Sequence, residues 1–277
     1  MTSLVTSTGT ILDRIVAQTA VDVEGRRRRV PVEKLRNMAE TRRDPIDVRA
    51  SLLRADVAVI AEFKRASPSK GRFPVEMEPA DVAGAYVGGG AAMISCLTDG
   101  PFFQGSLDDL LAVASVADGA NPHVGVLRKD FMIDPYQVVE ARAFGASCIL
   151  LIVACLPDDR LSELQTAAWE ERLSVLVEVH DEREMDRALD VGATLVGINN
   201  RNLHTFDVSL DITRRLAPLA PPEVVLIGES GIFTHDHVVE MGQAGVDAVL
   251  VGESLIVQED RTAAVQALAG APKYARA

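Results

Sequence analysis

Eight apolar segments recur along this 277-residue chain, and each of them ends in a polar or charged cluster. Stretches with helical spacing separate the segments, as in parallel strands joined by crossover helices. Eight such units predict an α/β protein with the (β/α)8 (TIM) barrel fold, which uses about 250 residues. The predicted strands are residues 57–65, 91–98, 124–131, 147–154, 174–180, 193–200, 224–231 and 248–255. Because active sites in this fold lie at the carboxyl ends of the strands, the charged ends of these segments predict where the site is.

A separate segment precedes the first predicted strand. Its apolar spacing predicts a helix over residues 10–24 and a shorter one over residues 31–40. We therefore expect residues 1–50 to form an N-terminal helical extension that packs onto one end of the barrel. Residues 51–277 should form the barrel itself as one catalytic domain, with no second catalytic domain fused to it. Four consecutive arginines, residues 26–29, are interpreted as a solvated stretch near a helix end.

The composition limits which partners the chain is expected to bind and in which compartment it is expected to work. A net charge of −12 argues against a nucleic-acid partner, although a local pocket can still bind an anionic substrate. We find no signal-peptide pattern, and no apolar run reaches the roughly 18 residues of a membrane span. Cys96, Cys148 and Cys155 are an odd number of cysteines and indicate buried thiols in a reducing cytoplasm. The histidines are scattered and no nucleotide-binding loop follows a first strand, so we expect neither a metal nor a cofactor.

Charged side chains stand at the ends of the first, third and fifth predicted strands. Glu62 and Lys64 are two residues apart and therefore share one face of the first strand. Lys129 ends the third strand, and Glu178 alternates with apolar neighbours in the fifth. We expect these groups to meet at the barrel mouth as an acid–base set, with Lys64 lowering the pKa of Lys129 by like-charge repulsion. His180 should face away from Glu178. The alternative for each charge is a structural ion pair with a neighbouring side chain.

The ends of the last three predicted strands carry groups suited to binding. Asn199 can both donate and accept hydrogen bonds, which suits a polyhydroxy substrate. Arg201 suits a carboxylate or a phosphate, and a structural salt bridge is the alternative. Small residues in segments 228–231 and 252–255 predict a phosphate site built from backbone N–H groups and a short helix N-terminus. Glu253 fits this site poorly, because a carboxylate repels a phosphate, so we expect its side chain to point away.

Six segments together resemble one family, the indole-3-glycerol phosphate synthases. They are IAEFKRASPS at residues 60–69, FQGSL at 103–107, LRKDF at 127–131, VEVH at 177–180, GINNRNL at 197–203 and GESGI at 228–232. The segments follow the predicted strands in register, so the resemblance covers nearly the whole chain. The helical N-terminal segment also resembles the extra segment of this family, which helps to cover the active site.

The resemblance implies a particular reaction. Members of this family close the indole ring of 1-(2-carboxyphenylamino)-1-deoxyribulose 5-phosphate in tryptophan biosynthesis, release carbon dioxide and water, and need no cofactor. By the resemblance, Lys129 is the general acid that assists attack of the aromatic ring on the ribulose carbonyl. Lys64 holds the substrate carboxylate and is a candidate acid for the dehydration, and Glu178 takes part in the later proton transfer. The division of these steps among the three residues stays open.

The same resemblance implies binding roles for other residues. Glu62 would orient the lysines, and Asn199 with Glu229 would bind the substrate hydroxyls. Residues expected around the phosphate are Ser67, Ser230, Gly231, Gly252 and Glu253. Residues expected in the apolar wall for the aromatic ring are Phe103, Phe131, Leu150 and Leu203. Glu253 departs from the family, which often has serine or glycine there, and this puts its side-chain contact with the phosphate in doubt.

Two other functions are weighed against this one. A phosphoribosyl isomerase would bind phosphate in the same kind of barrel, but such isomerases use Cys/Asp or Asp/Asp pairs, whereas Glu62 and Lys64 end the first strand here. A barrel that only binds a phosphorylated ligand would not need two lysines and a glutamate to converge. We therefore expect a carbon–carbon lyase that acts on a small phosphorylated substrate. It should bind no nucleic acid or membrane, and it should be a monomer or weak dimer.

Overall fold

A closed barrel of parallel strands forms the centre of the molecule in the computed structural model, which describes residues 5–75 and 77–276. Eight strands make up the barrel in this part of the chain: β1 Ala58–Phe63, β2 Met93–Leu97, β3 Gly125–Lys129, β4 Cys148–Ile152, β5 Ser174–Val179, β6 Leu195–Asn199, β7 Val225–Glu229 and β8 Ala248–Val251. Each strand pairs with its neighbours in chain order, and β1 pairs with both β2 and β8, which closes the ring. The barrel predicted from the sequence is confirmed. The sequences of the strands are continuous apolar runs because both faces of each strand are buried.

Helices follow the strands and cover the outside of the barrel. Those in the described residues are α1 Ile11–Arg29, α2 Val32–Glu40, α3 Val48–Leu52, α4 Pro79–Gly88, α5 Leu107–Gly119, α6 Pro135–Ala143, α7 Asp158–Glu170, α8 Glu182–Asp190, α9 Asp211–Leu216, α10 His235–Gln243, α11 Glu253–Ile256 and α12 Arg261–Leu268. Asp134 and Gln137 form a capping box around Pro135, the first residue of α6. The Thr234 hydroxyl accepts the backbone N–H of His237 at the start of α10. These two caps fix where the loops after β3 and β7 end.

The helices before β1 pack on the outside of the barrel through their own apolar cluster. Val23 of α1, Leu35 of α2 and Tyr136 of α6 are buried together in this cluster, which is separate from the main core. At the end of α1, the Tyr136 hydroxyl donates a hydrogen bond of 2.9 Å to the carbonyl oxygen of Val30. Because burying apolar side chains supplies most of the stabilisation of a helix in a protein, α6 is the element that holds α1 and α2.

The arginine run at the end of α1 is only partly solvated, which corrects its interpretation. Arg26 Nε lies 2.9 Å from Glu140 Oε1, and Arg27 Nη2 lies 2.5 Å from Asp134 Oδ1. The residues of the run after Arg26 fit the expected solvated stretch, since Arg27, Arg28 and Arg29 are all exposed, Arg28 by 76% of its side chain. Two arginines of the run thus fasten α1 to α6.

The segment before β1 reaches both ends of the barrel rather than one. Ile11 and Ile15 of α1 lie at the end where the strands terminate. Val48 of α3 packs at the opposite end beside Gly125, where β3 begins. The expected domain boundary at residue 50 falls inside α3, so a cut there would divide a helix that contacts the bottom of the barrel.

A few features of the chain lie beyond the predicted pattern. Residues Ala66–Ser67 and Gly71–Arg72 pair as a small antiparallel hairpin after β1, and α11 follows β8 directly. The outer limits of the two expected domains, residues 1–4 and 277, lie outside the described residues. Among the helices of the described chain, none is both long enough and apolar enough to cross a membrane.

Candidate active site

One cavity opens at the carboxyl ends of the barrel strands, and every residue that the sequence predicted for the site lines it. Apolar residues that the sequence analysis did not assign to the site also line the cavity. Among them are Ile11, Leu12 and Ile15 of α1, with Phe206 and Phe233 from the loops after β6 and β7. The apolar spacing of α1 was visible in the sequence, but nothing in that spacing indicated which part of the barrel the helix would cover.

Lys129 lies between two carboxylates at the centre of the cavity. Its Nζ is 2.6 Å from Glu229 Oε2 and 3.6 Å from Glu178 Oε2. Burial acts to lower the pKa of Lys129, but the charges of Glu229, Glu178 and Glu62 outweigh it and raise this pKa above its usual value. The expectation that like-charge repulsion would lower it is therefore wrong. The surrounding carboxylates therefore favour the charged ammonium form of Lys129.

The two carboxylates beside Lys129 have opposite electrostatic environments. Burial acts to raise the pKa of Glu178, but Lys129, His180 and Asn199 together lower it to about 2. Asn199 Nδ2 donates a hydrogen bond of 3.0 Å to Glu178 Oε1. Glu229 has fewer compensating partners, so burial raises its pKa to about 7. Two acidic groups with separated pKa values can serve as an ionised carboxylate and as a proton carrier near neutral pH.

Glu62 and Lys64 form an ion pair on the opposite side of the mouth. Lys64 Nζ is 2.6 Å from Glu62 Oε1, so the expectation that they share a face of the first strand is met. The pair is possible because residue 252 has no side chain. A Cβ atom at Gly252 would collide with Glu62 Oε1 and approach Lys64 Nζ to 2.9 Å.

Gly197 makes the same kind of room for Glu229, and this yields a test of the geometry. A Cβ atom at Gly197 would collide with Glu229 Oε1. We expect Gly197→Ala to displace Glu229 from Lys129 and to lower kcat by roughly 10²-fold, the scale for a 1 Å misplacement. Steady-state kinetics with the substrate proposed below measure this. Gly84→Ala is the matched control, because a Cβ atom there meets nothing within 4 Å; equal kinetics for the two variants would contradict the packing argument.

The expected phosphate end lies where β7 and β8 terminate. Ser67, Ser230, Gly231 and Gly252 line the cavity here, and α11 begins at the next residue. Glu253 also lines the cavity. Its Oε1 lies 3.5 Å from Nζ of Lys70, an exposed lysine, which offsets the negative charge of this carboxylate next to the expected phosphate position.

Arg201 occupies the edge of the cavity and carries no carboxylate partner within the described residues. Its Nη1 donates a hydrogen bond of 3.1 Å to the carbonyl oxygen of Phe206, and its backbone N–H donates one of 3.0 Å to Asn199 Oδ1. The alternative of a structural salt bridge therefore finds no support. The guanidinium keeps donors available for an anionic ligand, and its backbone helps to orient Asn199.

His180 faces the helix layer through Glu184 of α8, as expected, and it also contacts Glu178, which the sequence did not predict. Its Nδ1 is 3.0 Å from Glu184 Oε2, and its Nε2 is 3.3 Å from Glu178 Oε1. β5 ends at Val179, so the two-residue alternation of a strand no longer applies to His180. The imidazole thus lies behind Glu178, outside the cavity lining.

Aromatic and aliphatic side chains form an apolar wall beside the charged groups. The rings of Phe103 and Phe131 have centroids 6.0 Å apart, and Leu150 and Leu203 line the same cavity. Asp99 fixes the loop that carries Phe103, because its Oδ1 accepts the backbone N–H groups of Phe102 and Phe103 at 2.7 and 3.1 Å. A flat aromatic substrate fits such a wall. Asp99 is a supporting residue that the sequence analysis did not find.

A buried ion network supports β3 directly behind Lys129. The side chain of Arg128 is almost completely buried, and its Nη2 lies 2.8 Å from Asp130 Oδ2 and 2.9 Å from Glu140 Oε2. Glu140 also binds Arg26 of α1, and Asp130 Oδ1 accepts the backbone N–H of Phe131. Removing one partner of such a buried network leaves an uncompensated charge, which is strongly destabilising. The network therefore fixes the backbone on both sides of Lys129.

Comparison with known proteins agrees with this geometry. Residues 12–268 match the family model described as indole-3-glycerol phosphate synthase. The chain belongs to the indole-3-glycerol phosphate synthase family. It is 48% identical over 265 residues to a protein of that name from Roseiflexus castenholzii, covering 94% of this chain and 98% of the relative. A second relative of that name, from Laribacter hongkongensis, is 48% identical over 260 residues, covering 92% and 97%.

The family recognised from the sequence is confirmed. Members of this family are carboxy-lyases of tryptophan biosynthesis. The barrel also resembles more distant proteins in fold alone. Tryptophan synthase subunit alpha from Legionella pneumophila aligns with a TM-score of 0.59 at 14% identity, covering 80% of this chain and 96% of that one.

Proposed function

We propose that this chain converts 1-(2-carboxyphenylamino)-1-deoxyribulose 5-phosphate to indole-3-glycerol phosphate with loss of carbon dioxide and water. The observation that carries the proposal is Lys129 between Glu178 and Glu229, whose pKa values are pushed apart. A charged donor and two acidic groups of different strength are what a ring closure followed by proton transfers requires. Family membership supports the same reaction.

Ring closure joins the carboxylated ring carbon of the substrate to the ribulose carbonyl carbon. The carbonyl oxygen gains negative charge and takes a proton, so a charged donor beside it stabilises the transition state. We assign this role to Lys129. Lys129 gives its proton to this oxygen, and because its raised pKa keeps it charged until then, it also stabilises the developing negative charge. Lys64 holds the substrate carboxylate until it leaves, and Glu62 orients Lys64 through their 2.6 Å contact.

The later steps restore aromaticity in two stages. Breaking the bond to the carboxylate releases carbon dioxide and leaves its electron pair in the ring. The new hydroxyl group then takes a proton and departs as water, while the neighbouring methylene carbon loses a proton to form the indole double bond. Glu178 and Lys64 are assigned to this proton exchange. The low pKa of Glu178 keeps it ionised before the reaction, so it is available as the acceptor.

Different parts of the substrate are assigned to different residues along the rim of the barrel. The phosphate is assigned to Ser67, Ser230, Gly231, Gly252 and the backbone of Glu253. Asn199 and Glu229 are assigned to the substrate hydroxyls, and Arg201 to an anionic group at the edge. The aromatic ring is assigned to the wall formed by Phe103, Phe131, Leu150 and Leu203. The lining of the cavity supports these assignments, because all of these residues line it.

A direct assay tests the proposed reaction. The purified chain is mixed with the synthetic ribulose substrate, and the fluorescence of the indole product is followed with time. We expect indole-3-glycerol phosphate to form without any added metal or cofactor, and released carbon dioxide to match it one to one. A barrel that only binds the substrate would produce neither signal, and a phosphoribosyl isomerase would produce no carbon dioxide.

We infer that the N-terminal helical extension covers the active site as part of its wall. Leu12 and Ile15 of α1 line the cavity, and each is 3% exposed. We expect the double variant Leu12→Ala/Ile15→Ala to raise KM several-fold or to lower kcat, because water gains access to charges that act best in a dry site. Kinetics compared with Val21→Ala, an exposed residue of the same helix, check this. Unchanged kinetics in the double variant would remove the covering role.

The compartment and the assembly state are also proposed. We infer that the chain works in the cytoplasm, because Cys96, Cys148 and Cys155 are buried free thiols, as a reducing environment permits. We propose a monomer or weak dimer, and analytical ultracentrifugation over a range of concentrations tests this.

A further inference from the structure

The imidazole of His180 is held between two carboxylates outside the cavity. Its Nδ1 lies 3.0 Å from Glu184 Oε2, which also accepts the backbone N–H of His180 at 2.8 Å. Its Nε2 lies 3.3 Å from Glu178 Oε1, close enough for an ion pair although not aligned as a regular hydrogen bond. Glu184 belongs to the first turn of α8, where its backbone N–H donates to the Asp181 cap. The ring is therefore anchored to a helix end and aimed at Glu178.

This arrangement determines the protonation of the ring. An ionised carboxylate only accepts hydrogen bonds, so each ring nitrogen that faces one must carry a proton. A neutral imidazole would turn an unprotonated nitrogen toward one of the two carboxylates. Among the described residues, buried Nε2 has no other acceptor that it could use instead. The contacts thus favour the imidazolium, and they raise the pKa of His180 to about 10 against the effect of burial.

The two oxygens of Glu178 have different surroundings as a result. Oε1 is held on one side by Asn199 Nδ2 at 3.0 Å and on the other by His180 Nε2 at 3.3 Å. Oε2 faces Lys129 Nζ at 3.6 Å. A carboxylate gripped through one oxygen cannot rotate freely, so the same oxygen always meets the cavity.

We propose that His180 is a positioning residue that fixes Glu178 through Oε1 and thereby reserves Oε2 for proton transfer with the substrate. This inference rests on the proposed function, in which Glu178 takes part in the proton exchange. His180 itself does not line the cavity, so it acts through Glu178 and not on the substrate. Its positive charge also keeps Glu178 ionised beside Glu229, whose like charge would otherwise favour protonation.

Few titratable groups face His180 and Glu178 among the described residues, so a change in the pH profile can be interpreted. Glu178 and Glu184 face His180, while Lys129 and Glu229 face Glu178 from β3 and β7. The thiol of Cys155 also lies near both carboxylates, but burial raises its pKa to about 12, so it does not titrate in the working range. Loss of the imidazolium removes a positive charge from Glu178 and must raise its pKa.

The test compares three substitutions of His180 with different reach. His180→Ala removes both contacts, His180→Gln can place an amide donor near the position of Nε2, and His180→Asn can reach only toward Glu184. We expect the alanine and asparagine variants to lose about tenfold to a hundredfold in kcat, the scale for a misplaced reacting group. KM should stay within about twofold, and a second acidic limb, that of Glu178, should appear below the limb of Glu229 and at higher pH than in the parent chain. The glutamine variant should recover most of kcat.

Controls separate this role from simple support of the fold. His123→Ala changes an exposed histidine near the start of β3, at the far end of the barrel, and should keep the parent kinetics. If the His180 variants lower the melting temperature but leave kcat and the pH profile unchanged, the positioning role is wrong. If glutamine recovers no more kcat than asparagine, the contact with Oε1 is not the cause and the inference also fails. Absence of product from the unaltered chain would instead overturn the proposed function.

Discussion

Replacing Lys129 with alanine should abolish formation of the indole ring while leaving the substrate bound. Lys129 is the only cation that contacts both Glu178 and Glu229 among the described residues. Without it, the developing oxyanion has no charged donor, and one of the two carboxylates must take up a proton. We expect kcat to fall by roughly 10³-fold or more, within the range for loss of a general acid that also supplies the electrostatic stabilisation. The fluorescence assay measures the rate.

Binding has to be measured separately for this variant. Isothermal titration calorimetry with the ribulose substrate is suitable, since the variant should not turn it over. Affinity should stay within an order of magnitude, because the phosphate end and the apolar wall are untouched. Lys34→Ala on the exposed surface of α2 is the matched control for loss of a lysine. Turnover near that of the parent chain in the Lys129 variant would refute its assigned role.

Changing Glu178 to glutamine should lower kcat by roughly 10²-fold, the usual scale for an acid–base group. The amide keeps the shape of the side chain and can still accept from Asn199, so KM should change little. The pH profile should change in a defined direction. The pKa of Glu229 is about 7, and the charge of Glu178 is one of the causes that raise it. Removing the charge of Glu178 should therefore let Glu229 ionise at lower pH. An acidic limb near pH 7 should therefore move downward.

Glu170→Gln, an exposed position in α7, is the control for the chemical change. It should leave both the rate and the pH profile as they are in the parent chain. An effect of less than tenfold in the Glu178 variant would count against its role in proton transfer. A limb that moved upward would instead mean that another group controls the acidic side of the profile.

The barrel and the meeting of its charges were predictable for a simple reason. Parallel strands with both faces buried leave long apolar runs in the sequence, and their carboxyl ends must converge when the sheet closes. Lys64, Lys129 and Glu178 could therefore be assigned to one site without knowledge of any distance. The small hairpin after β1 and the helix α11 were missed because elements of two to four residues are too short to show a period.

The electrostatics of the site could not be obtained in the same way. The pKa of Lys129 depends on which carboxylate lies 2.6 Å away, and Glu229 is 100 residues distant in the chain. The contact of His180 with Glu178 was not predicted, because strand alternation was extended one residue beyond the end of β5. The link from Arg26 to Glu140 spans 114 residues and joins α1 to α6. Such contacts follow from the closed fold and leave no local pattern.

Gly197 and Gly252 also limit how this site can change over generations. Any side chain at either position would enter space that a glutamate of the site already fills. A variant at either position must therefore displace a glutamate that the proposed chemistry uses. Phe206 and Phe233, from the loops after β6 and β7, also line the cavity, and no step of the proposed reaction is assigned to them. A library built to alter substrate preference should randomise these two phenylalanines and keep both glycines constant.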